Sequence, residues 1–163
     1  LTDNVEFHIR AVSEYTANLC ANAIGQYIFG GLAHESHESL KAWYQSQRSY
    51  YRPLMVALRK GLLQEMPSLI VTKSEAAIYM VIDFRNICPP GFNAKDFVTY
   101  CAAEGKVHLA GQQYTLLLAP MNEFYASQES TVTTQMRIAI VEPQNLIEKT
   151  PAILRALYHA YRG

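Results

Sequence analysis

The stretch Gln135–Val141, which reads Gln-Met-Arg-Ile-Ala-Ile-Val, decides the fold of this chain. Three of its seven residues are β-branched and the run stops at Glu142-Pro143, a pattern that predicts a β-strand. Side chains alternate along a strand, so the larger apolar ones share one face, namely Met136, Ile138 and Ile140. The strand as a whole is mostly apolar.

Arg137 is the charged residue of this strand and points to the opposite face. Its neighbours on that face, Ala139 and Val141, are small, and we expect the guanidinium group to be held in one orientation against them. This arrangement suits bidentate capture of a carboxylate. An edge-strand arginine paired with a local glutamate is the alternative, and the strand by itself leaves both interpretations open.

The composition is that of a globular protein without a strongly charged partner. The 163 residues are 50% hydrophobic and 17% charged, which is sufficient for one good-sized core. The formal net charge is zero and no basic run occurs, so nucleic acid and anionic membranes are unfavourable partners. No apolar run reaches the ~18 residues that span a bilayer. The three cysteines form no C-x-x-C pair, as is typical of reduced thiols in a cytoplasmic protein.

The N-terminal third is predicted to be helical. The chain begins Leu1-Thr2-Asp3-Asn4, without methionine or a signal-peptide pattern, and we therefore expect it to be a fragment. An amphipathic helix is predicted at Asp3–Val12 and an almost wholly apolar one at Thr16–Ala33. A helix that is apolar all round is buried, either in a core or under a partner.

A long helix is predicted for Glu35–Met66, where apolar residues recur at helical spacing among basic ones. Its length of roughly 30 residues is well above the average of ~11–12 for a helix. Pro53 removes one hydrogen bond from the ladder and predicts a kink near Ser49–Tyr50. A helix of this length commonly joins two lobes.

From Ser68 onward the pattern predicts the order β-β-α-β-β-β-α. Strands are predicted at five short runs, Leu69–Val71, Ala76–Phe84, Val107–Leu109, Tyr114–Ala119 and Gln135–Val141. A helix capped by Asn93 is predicted at Ala94–Glu104, and a final helix opens at Pro143 and is kinked by Pro151. The fold class is therefore α+β, within the broader α/β family, with helices on one face of a mixed sheet.

Three short motifs that follow the long helix resemble the C-terminal part of a fold-type-I pyridoxal-phosphate (PLP) aminotransferase, closest to the aspartate aminotransferase group. They are Glu75–Asp83 (EAAIYMVID), Ala119–Tyr125 (APMNEFY) and Met136–Ala139 (MRIA). In that family a strand reading Arg-hydrophobic-Ser/Ala follows a Pro-Gly-x-x-Phe loop. Arg137-Ile138-Ala139 matches the strand. Pro120 with Phe124 matches the loop, except that Met121 replaces the glycine.

The resemblance implies a domain organisation and roles for particular residues. Residues 1–34 would end the large PLP-binding domain, residues 35–66 would form the interdomain helix, and residues 67–163 would form the small C-terminal domain. The family's arginine binds the substrate α-carboxylate, a role that falls to Arg137. Thr16 and Asn18 are similar to the region that approaches the cofactor phosphate of the other subunit of a homodimer, with helix capping as the alternative. The implied substrates are an amino acid, aspartate-like, and a 2-oxo acid.

The same resemblance identifies what the chain lacks. The family's imine-forming lysine lies in a Ser-x-x-Lys stretch followed by Gly-x-Arg-x-Gly, and none of the six lysines has that context: Lys41, Lys60, Lys73, Lys95, Lys106 and Lys149. The pyridine-pairing aspartate, the ring-stacking aromatic and the glycine-rich phosphate loop are also missing. Transamination has no mechanism without the lysine. We therefore expect the parent protein to be an aminotransferase, and this chain alone to be inactive and without bound PLP.

Other residue combinations favour structural roles. His34 and Glu38 are four residues apart on a helix, but together with His37 they offer too few ligands for a closed metal site. Cys101 falls on the apolar face of its helix, where a buried, inert thiol is expected despite His108 nearby in sequence.

A second hypothesis belongs to a different class of protein. The chain could be a non-enzymatic α+β binding or dimerisation module that uses Arg137 for a small carboxylate, or residues 16–33 for association. Because residues 16–33 are so apolar, both hypotheses predict either a dimer or a helix folded back on the chain.

Overall fold

The structure is a computed structural model that describes residues 3–17, 22–125 and 133–162. Contacts divide the chain into residues 1–46 and residues 47–163, and each unit is described by itself. The helices are α1 Val5–Ala17, α2 Ala23–Gly30, α3 His37–Glu65, α4 Ala94–Ala103, α5 Gln144–Ile147 and α6 Thr150–Arg162. The strands are β1 Ile70–Val71, β2 Tyr79–Asp83, β3 Val107–Leu109, β4 Gln112–Tyr114, β5 Ala119–Pro120 and β6 Gln135–Ala139.

Asparagine caps determine where α1 and α2 begin. The Asn4 side-chain oxygen accepts the Phe7 amide at 2.9 Å, and the Asn22 oxygen accepts the amides of Ile24 and Gly25 at 2.9 and 3.1 Å. The predicted boundaries are wrong here, because α1 continues to Ala17 and α2 starts only after the Asn22 cap. A short 3₁₀ turn, Gly31–His34, follows α2.

The apolar side chains of the first unit are exposed. Every residue from 22 to 34 is exposed, and the exposed fraction is 87% for Tyr27 and 75% for Phe29. The described residues of the first unit therefore do not by themselves provide the predicted burial of this segment.

Helix α3 confirms the predicted long helix. It has 29 residues, its first turn is capped by the Ser36 hydroxyl, which accepts the Ser39 amide at 3.0 Å, and it continues through Pro53. Its second half carries the buried side chains, which are Leu54, Met55, Leu58 and Leu62. The helix thus contributes to the core of the second unit only from about its midpoint onward.

The four-stranded sheet of the second unit has the order β1-β2-β6-β5, and β3 and β4 form a separate hairpin. All described pairs are antiparallel, whereas we expect a mixed sheet from the sequence. The reason is that α4 leads into the β3–β4 hairpin and does not return the chain to a parallel neighbour of β2. The α+β class is confirmed.

The predicted strand Tyr114–Ala119 is in fact two strands. The hairpin strand β4 ends at Tyr114, and the Thr115 hydroxyl then donates to the carbonyl oxygen of Cys101 at 2.6 Å. The chain re-enters the larger sheet at Ala119, where β5 pairs with β6.

The C-terminal helix is likewise two helices, α5 and α6, where one kinked helix is predicted. Pro151 has no N–H to donate to the preceding turn, so it is accommodated at the start of α6. Both helices contribute to the core, since Ile147 of α5 and Ile153, Leu154 and Leu157 of α6 are buried.

One face of the larger sheet forms the centre of the core. Met80 and Ile82 of β2 and Met136 and Ile138 of β6 are buried in a single cluster with side chains of α3, α4 and α6. Burial of one face leaves the alternate residues of β2 and β6 on the other face, which carries the candidate site.

Candidate functional site

Arg137 lies in the middle of the larger sheet. Its strand β6 pairs with β2 on one side, where Arg137 opposes Val81, and with β5 on the other, where it opposes Ala119. The edge-strand interpretation is therefore wrong. The side chain is half-buried and lies on the face opposite the core.

Two aromatic rings frame the guanidinium group. Its central carbon lies 5.0 Å from the centroid of the Tyr79 ring and 5.1 Å from that of Phe124. The predicted small neighbours, Ala139 and Val141, are thus not what fixes it. Tyr79 reaches Arg137 diagonally across the β2–β6 pair, and Phe124 reaches it from the 3₁₀ turn Asn122–Phe124. Each such cation–π contact contributes about 0.5–2 kcal/mol, depending on exposure.

No ion pair of Arg137 is found among the side chains that the structure describes, which do not include that of Glu123. The ion pairs in the described part of the chain are Lys73–Glu75, Arg85–Asp83 and Arg155–Glu65. A local glutamate partner thus gains no support from the described side chains. The arginine has ring faces beside it and hydrogen-bond donors left to offer to an anion.

A buried carboxylate joins the two central strands beside Arg137. Asp83 lies at the end of β2 and pairs with Arg85. Its carboxylate also accepts hydrogen bonds from the Thr134 hydroxyl at 2.6 Å and from the side-chain NH₂ group of Gln135 at 3.1 Å. Burial by itself raises the pKa of Asp83, but the hydrogen bonds from Arg85, Thr134 and Gln135 outweigh it and leave that pKa below its ordinary value. Asp83 is therefore ionised at neutral pH and fixes the start of β6 against the end of β2.

Gln135 connects this carboxylate to the segment that carries Phe124. Its side-chain oxygen accepts the Tyr125 hydroxyl at 2.9 Å, and its main-chain oxygen accepts the Met121 amide at 3.0 Å. Sequence reasoning misses Gln135, Tyr125 and Tyr79 as neighbours of Arg137. Alternation along the predicted strand at 76–84 separates Tyr79 from the core residues, but only the strand pairing shows that it reaches Arg137.

Two residues, Thr16 and Asn18, are predicted to contact the cofactor. Asn18 and the side chain of Thr16 lie outside the described residues, so their predicted role stays a prediction.

The lysines do not fit an imine-forming site within this chain. All six lie in the described ranges, and five of them are exposed. The sixth, Lys149, is half-buried and donates to the Tyr114 hydroxyl at 2.7 Å. An imine lysine must lie in an enclosed pocket beside the cofactor, so the residues present do not by themselves form a PLP site.

Other candidate sites receive little support. In the described ranges no three His, Cys, Asp or Glu side chains converge as metal ligands. Cys101 is buried as predicted, and burial raises the pKa of its thiol to about 11. A mostly apolar cleft of about 360 Å³ between α3 and the α5–α6 segment is not lined by Arg137 or its ring partners. None of the described helices has the length and apolar character needed to cross a membrane.

No protein-family profile matches the sequence, and no curated protein does. Solved structures do match. A PLP-bound protein from Clostridium difficile, described as an aminotransferase, superposes with a TM-score of 0.53 at 19% identity over 74% of this chain. The α-aminoadipate aminotransferase of Thermus thermophilus, complexed with N-(5'-phosphopyridoxyl)-L-leucine, has a TM-score of 0.53 at 17% identity over 77%. A Psychrobacter arcticum protein described as an amino-acid aminotransferase has a TM-score of 0.50 at 20% identity over 69%.

The chain spans only part of these proteins, namely 26%, 30% and 25% of their respective lengths. At these identities the likeness concerns the fold. This fold agrees with the resemblance of the sequence motifs, including an α+β small domain around the strand that carries Arg137. The chain has the fold of the corresponding part of a PLP-dependent aminotransferase.

Proposed function

We propose that this chain is part of a PLP-dependent aminotransferase in which Arg137 binds the α-carboxylate of an amino acid and of the product 2-oxo acid. In this proposal residues 67–163 are the small domain, residues 35–66 the interdomain helix and residues 1–34 the end of the large domain. The observation that carries it is the half-buried guanidinium of Arg137, framed by Tyr79 and Phe124 at the centre of the sheet.

The rings explain why this arginine suits a carboxylate. Tyr79 and Phe124 occupy positions beside the guanidinium carbon, and a carboxylate bonds in the guanidinium plane through two parallel N–H donors. A pair of this kind fixes both the position and the orientation of the substrate. Orientation of the reacting centre is a large part of enzymatic rate enhancement.

The remaining parts of the proposal concern groups beyond this chain. PLP would be held by residues that this chain does not supply, which is supported by the surroundings of its six lysines, and the chain alone would be inactive. Thr16 and Asn18 would approach the cofactor phosphate of the other subunit of a homodimer. An aspartate-like amino acid and a cytoplasmic location complete the proposal.

The test uses two conjugates that differ only in a carboxylate, bound to the full-length parent protein freed of PLP. N-(5'-phosphopyridoxyl)-L-alanine carries the carboxylate and the smallest chiral side chain, so an unknown side-chain pocket does not exclude it. N-(5'-phosphopyridoxyl)-ethylamine lacks only the carboxylate. The ratio of their dissociation constants, measured by calorimetry, is called here the carboxylate preference.

We expect Arg137→Leu to reduce the carboxylate preference. The loss should correspond to about 2–5 kcal/mol of binding free energy, the usual cost of removing one partner of a charged pair. Arg137→Lys should retain part of it, because a lysine keeps the charge but loses the bidentate geometry. Arg155→Leu, which removes an arginine of α6 that pairs with Glu65 of α3, is the matched control and should leave it unchanged.

Each other outcome has a definite meaning. If neither conjugate binds the wild-type protein, the assignment to PLP enzymes is wrong. A carboxylate preference that survives in Arg137→Leu would exclude Arg137 as the anchor. If the protein binds free acetate through Arg137 but neither conjugate, the non-enzymatic binding module is the correct hypothesis.

A further inference from the structure

We propose that Gln135 and Tyr125 are positioning residues of the carboxylate site, which act by holding Phe124 against Arg137. The inference rests on the proposed function, because it concerns the same arginine. It adds two residues, Gln135 and Tyr125, that none of the sequence motifs assigns to the binding of a carboxylate.

The two rings beside Arg137 are held in different ways. Tyr79 belongs to β2, and its backbone is fixed by pairing with Ala139 of β6. Phe124 belongs to the short 3₁₀ turn after β5 and has no strand partner, and 57% of it is exposed. The position of Phe124 therefore depends on the contacts of its own short segment.

Those contacts converge on Gln135. The Met121 amide donates to the main-chain oxygen of Gln135 at 3.0 Å, and the Phe124 amide donates in turn to the Met121 oxygen at 3.0 Å. On the other side of Phe124, the Tyr125 hydroxyl donates to the side-chain oxygen of Gln135 at 2.9 Å. The residues on both sides of Phe124 are thus attached to Gln135 of β6. Gln135 lies two residues before Arg137 on that strand.

The direction of this hydrogen-bond chain is determined by Asp83. An ionised carboxylate only accepts hydrogen bonds, so the Gln135 amide must present its NH₂ group to Asp83, at 3.1 Å. The amide oxygen of Gln135 is then the end that faces Tyr125, and it requires a donor. A tyrosine hydroxyl supplies one. A phenylalanine at position 125 would leave the amide oxygen without this partner.

The expected consequence is specific to the carboxylate. If the Tyr125–Gln135 hydrogen bond is lost, Phe124 is held only by the backbone hydrogen bonds of its turn. Of the two rings beside the guanidinium group, only Tyr79 then keeps a fixed position. Its donors then sample more orientations, which weakens a bidentate pair but leaves contacts made elsewhere by the ligand unchanged.

The test measures the carboxylate preference, as defined above, in a double-mutant cycle on the full-length parent protein. Tyr125→Phe and Phe124→Leu should each lower the preference about three- to tenfold, the range expected from one cation–π contact. Their affinities for the ethylamine conjugate should equal that of the wild type. The double variant should match Phe124→Leu alone, because Tyr125 acts through Phe124.

Three controls separate positioning from a general structural effect. Phe124→Tyr keeps an aromatic ring and should retain the wild-type preference. Tyr114→Phe removes a hydroxyl that accepts from Lys149 near the β3–β4 hairpin, away from the strands that carry Arg137, and should also retain it. Gln135→Met removes the acceptor of the Tyr125 hydroxyl together with the bond to Asp83, and it should lower the preference at least as much as Tyr125→Phe.

The outcomes also distinguish this inference from the proposed function. A preference that is unchanged in Arg137→Leu overturns the proposed function itself. If Arg137→Leu abolishes the preference while Tyr125→Phe and Phe124→Leu keep it, only the inference is wrong. Additive effects in the double variant, or an equal loss of affinity for both conjugates, would likewise show that Tyr125 does not act through Phe124.

Discussion

At the scale of single residues, Asp83 is a buried acid that accepts hydrogen bonds from Arg85, Thr134 and Gln135, and its side chain is only 5% exposed. Because its pKa in the folded chain lies below the ordinary value of 3.8, folding favours the ionised form. The stabilisation is fully present above that ordinary value and is lost as the pH falls through the lower pKa of the folded state. Asp83 thus contributes an acid-sensitive part of the stability.

We expect Asp83→Asn to lower the free energy of unfolding at pH 7 by about 1–3 kcal/mol, because hydrogen bonds to a charged group are weakened. The difference from the wild type should begin to shrink below the ordinary pKa of 3.8, where the unfolded chain takes up the proton, and should go on shrinking as the pH falls through the lower pKa of the folded state. Urea unfolding followed by circular dichroism at pH 7 and pH 3 measures both effects. Asp96→Asn, an exposed position on α4, is the control. A difference that is the same at both pH values would contradict the assignment.

The sequence pattern predicts only part of the surroundings of Arg137. Alternation along Gln135–Val141 correctly separates the buried face from the face that carries Arg137. The aromatic contacts could not be predicted, since Tyr79 and Phe124 are 58 and 13 positions away in sequence (137 − 79 and 137 − 124). They come together through strand pairing, which single-sequence periodicity does not contain.

At the scale of elements, α3 and α6 approach each other closely at a glycine. A methyl group built on Gly61 of α3 would lie 2.8 Å from a ring carbon of Pro151 at the start of α6. The proline ring is rigid, so one of the two helices would have to move. Gly61 is therefore required by packing, although glycine is unfavourable inside a helix.

Gly61→Ala should lower the free energy of unfolding by about 1–3 kcal/mol, because the strain of overpacking exceeds the gain of roughly 1 kcal/mol in helix propensity. Gly30→Ala in α2 is the matched control, since a methyl group there meets nothing within 4 Å. That variant should be neutral or slightly more stable. Thermal unfolding of the two variants measures both predictions, and an increase in stability for Gly61→Ala would show that the helices do not pack as described.

The elements also differ in how well their limits could be read from sequence. The long helix and the capping role of Asn93, whose side chain accepts the Lys95 amide at 2.9 Å, follow from local signals and are confirmed. The division of the C-terminal helix at Pro151 and the end of β4 at Tyr114 depend on tertiary contacts. Proline allows either a kink or a new helix start, and only the packing decides between them.

At the scale of the whole molecule, the described side chains of the first unit expose a series of large apolar groups. Within α2 these are Ile24, Tyr27, Ile28 and Phe29, each more than 70% exposed. Contiguous exposed apolar surface of this kind commonly marks an interaction site. The proposal of a homodimeric parent protein assigns this segment to surfaces that are covered in the assembled enzyme.

We expect this chain in isolation to associate with increasing concentration, because covering these side chains removes apolar surface from water. Replacing Ile24 and Ile28, one helical turn apart on α2, with serine should weaken the association by about tenfold or more, at roughly 1.5–3 kcal/mol for each fully buried side chain. Sedimentation velocity over a range of concentrations measures this. Val141→Ser, an exposed position in the second unit, should leave association unchanged. A wild-type chain that stays monomeric throughout would contradict the prediction.

The sequence by itself determined the α+β class, the long helix, the strand that carries Arg137 and the resemblance that the solved structures support. These features depend on local periodicity, capping and short motifs, which are properties of neighbouring residues. The tertiary structure alone decided the antiparallel order β1-β2-β6-β5, the central position of Arg137 and the rings of Tyr79 and Phe124 beside it. Strand order and side-chain packing join residues that are distant in sequence, and their energies depend on contacts that no local pattern specifies.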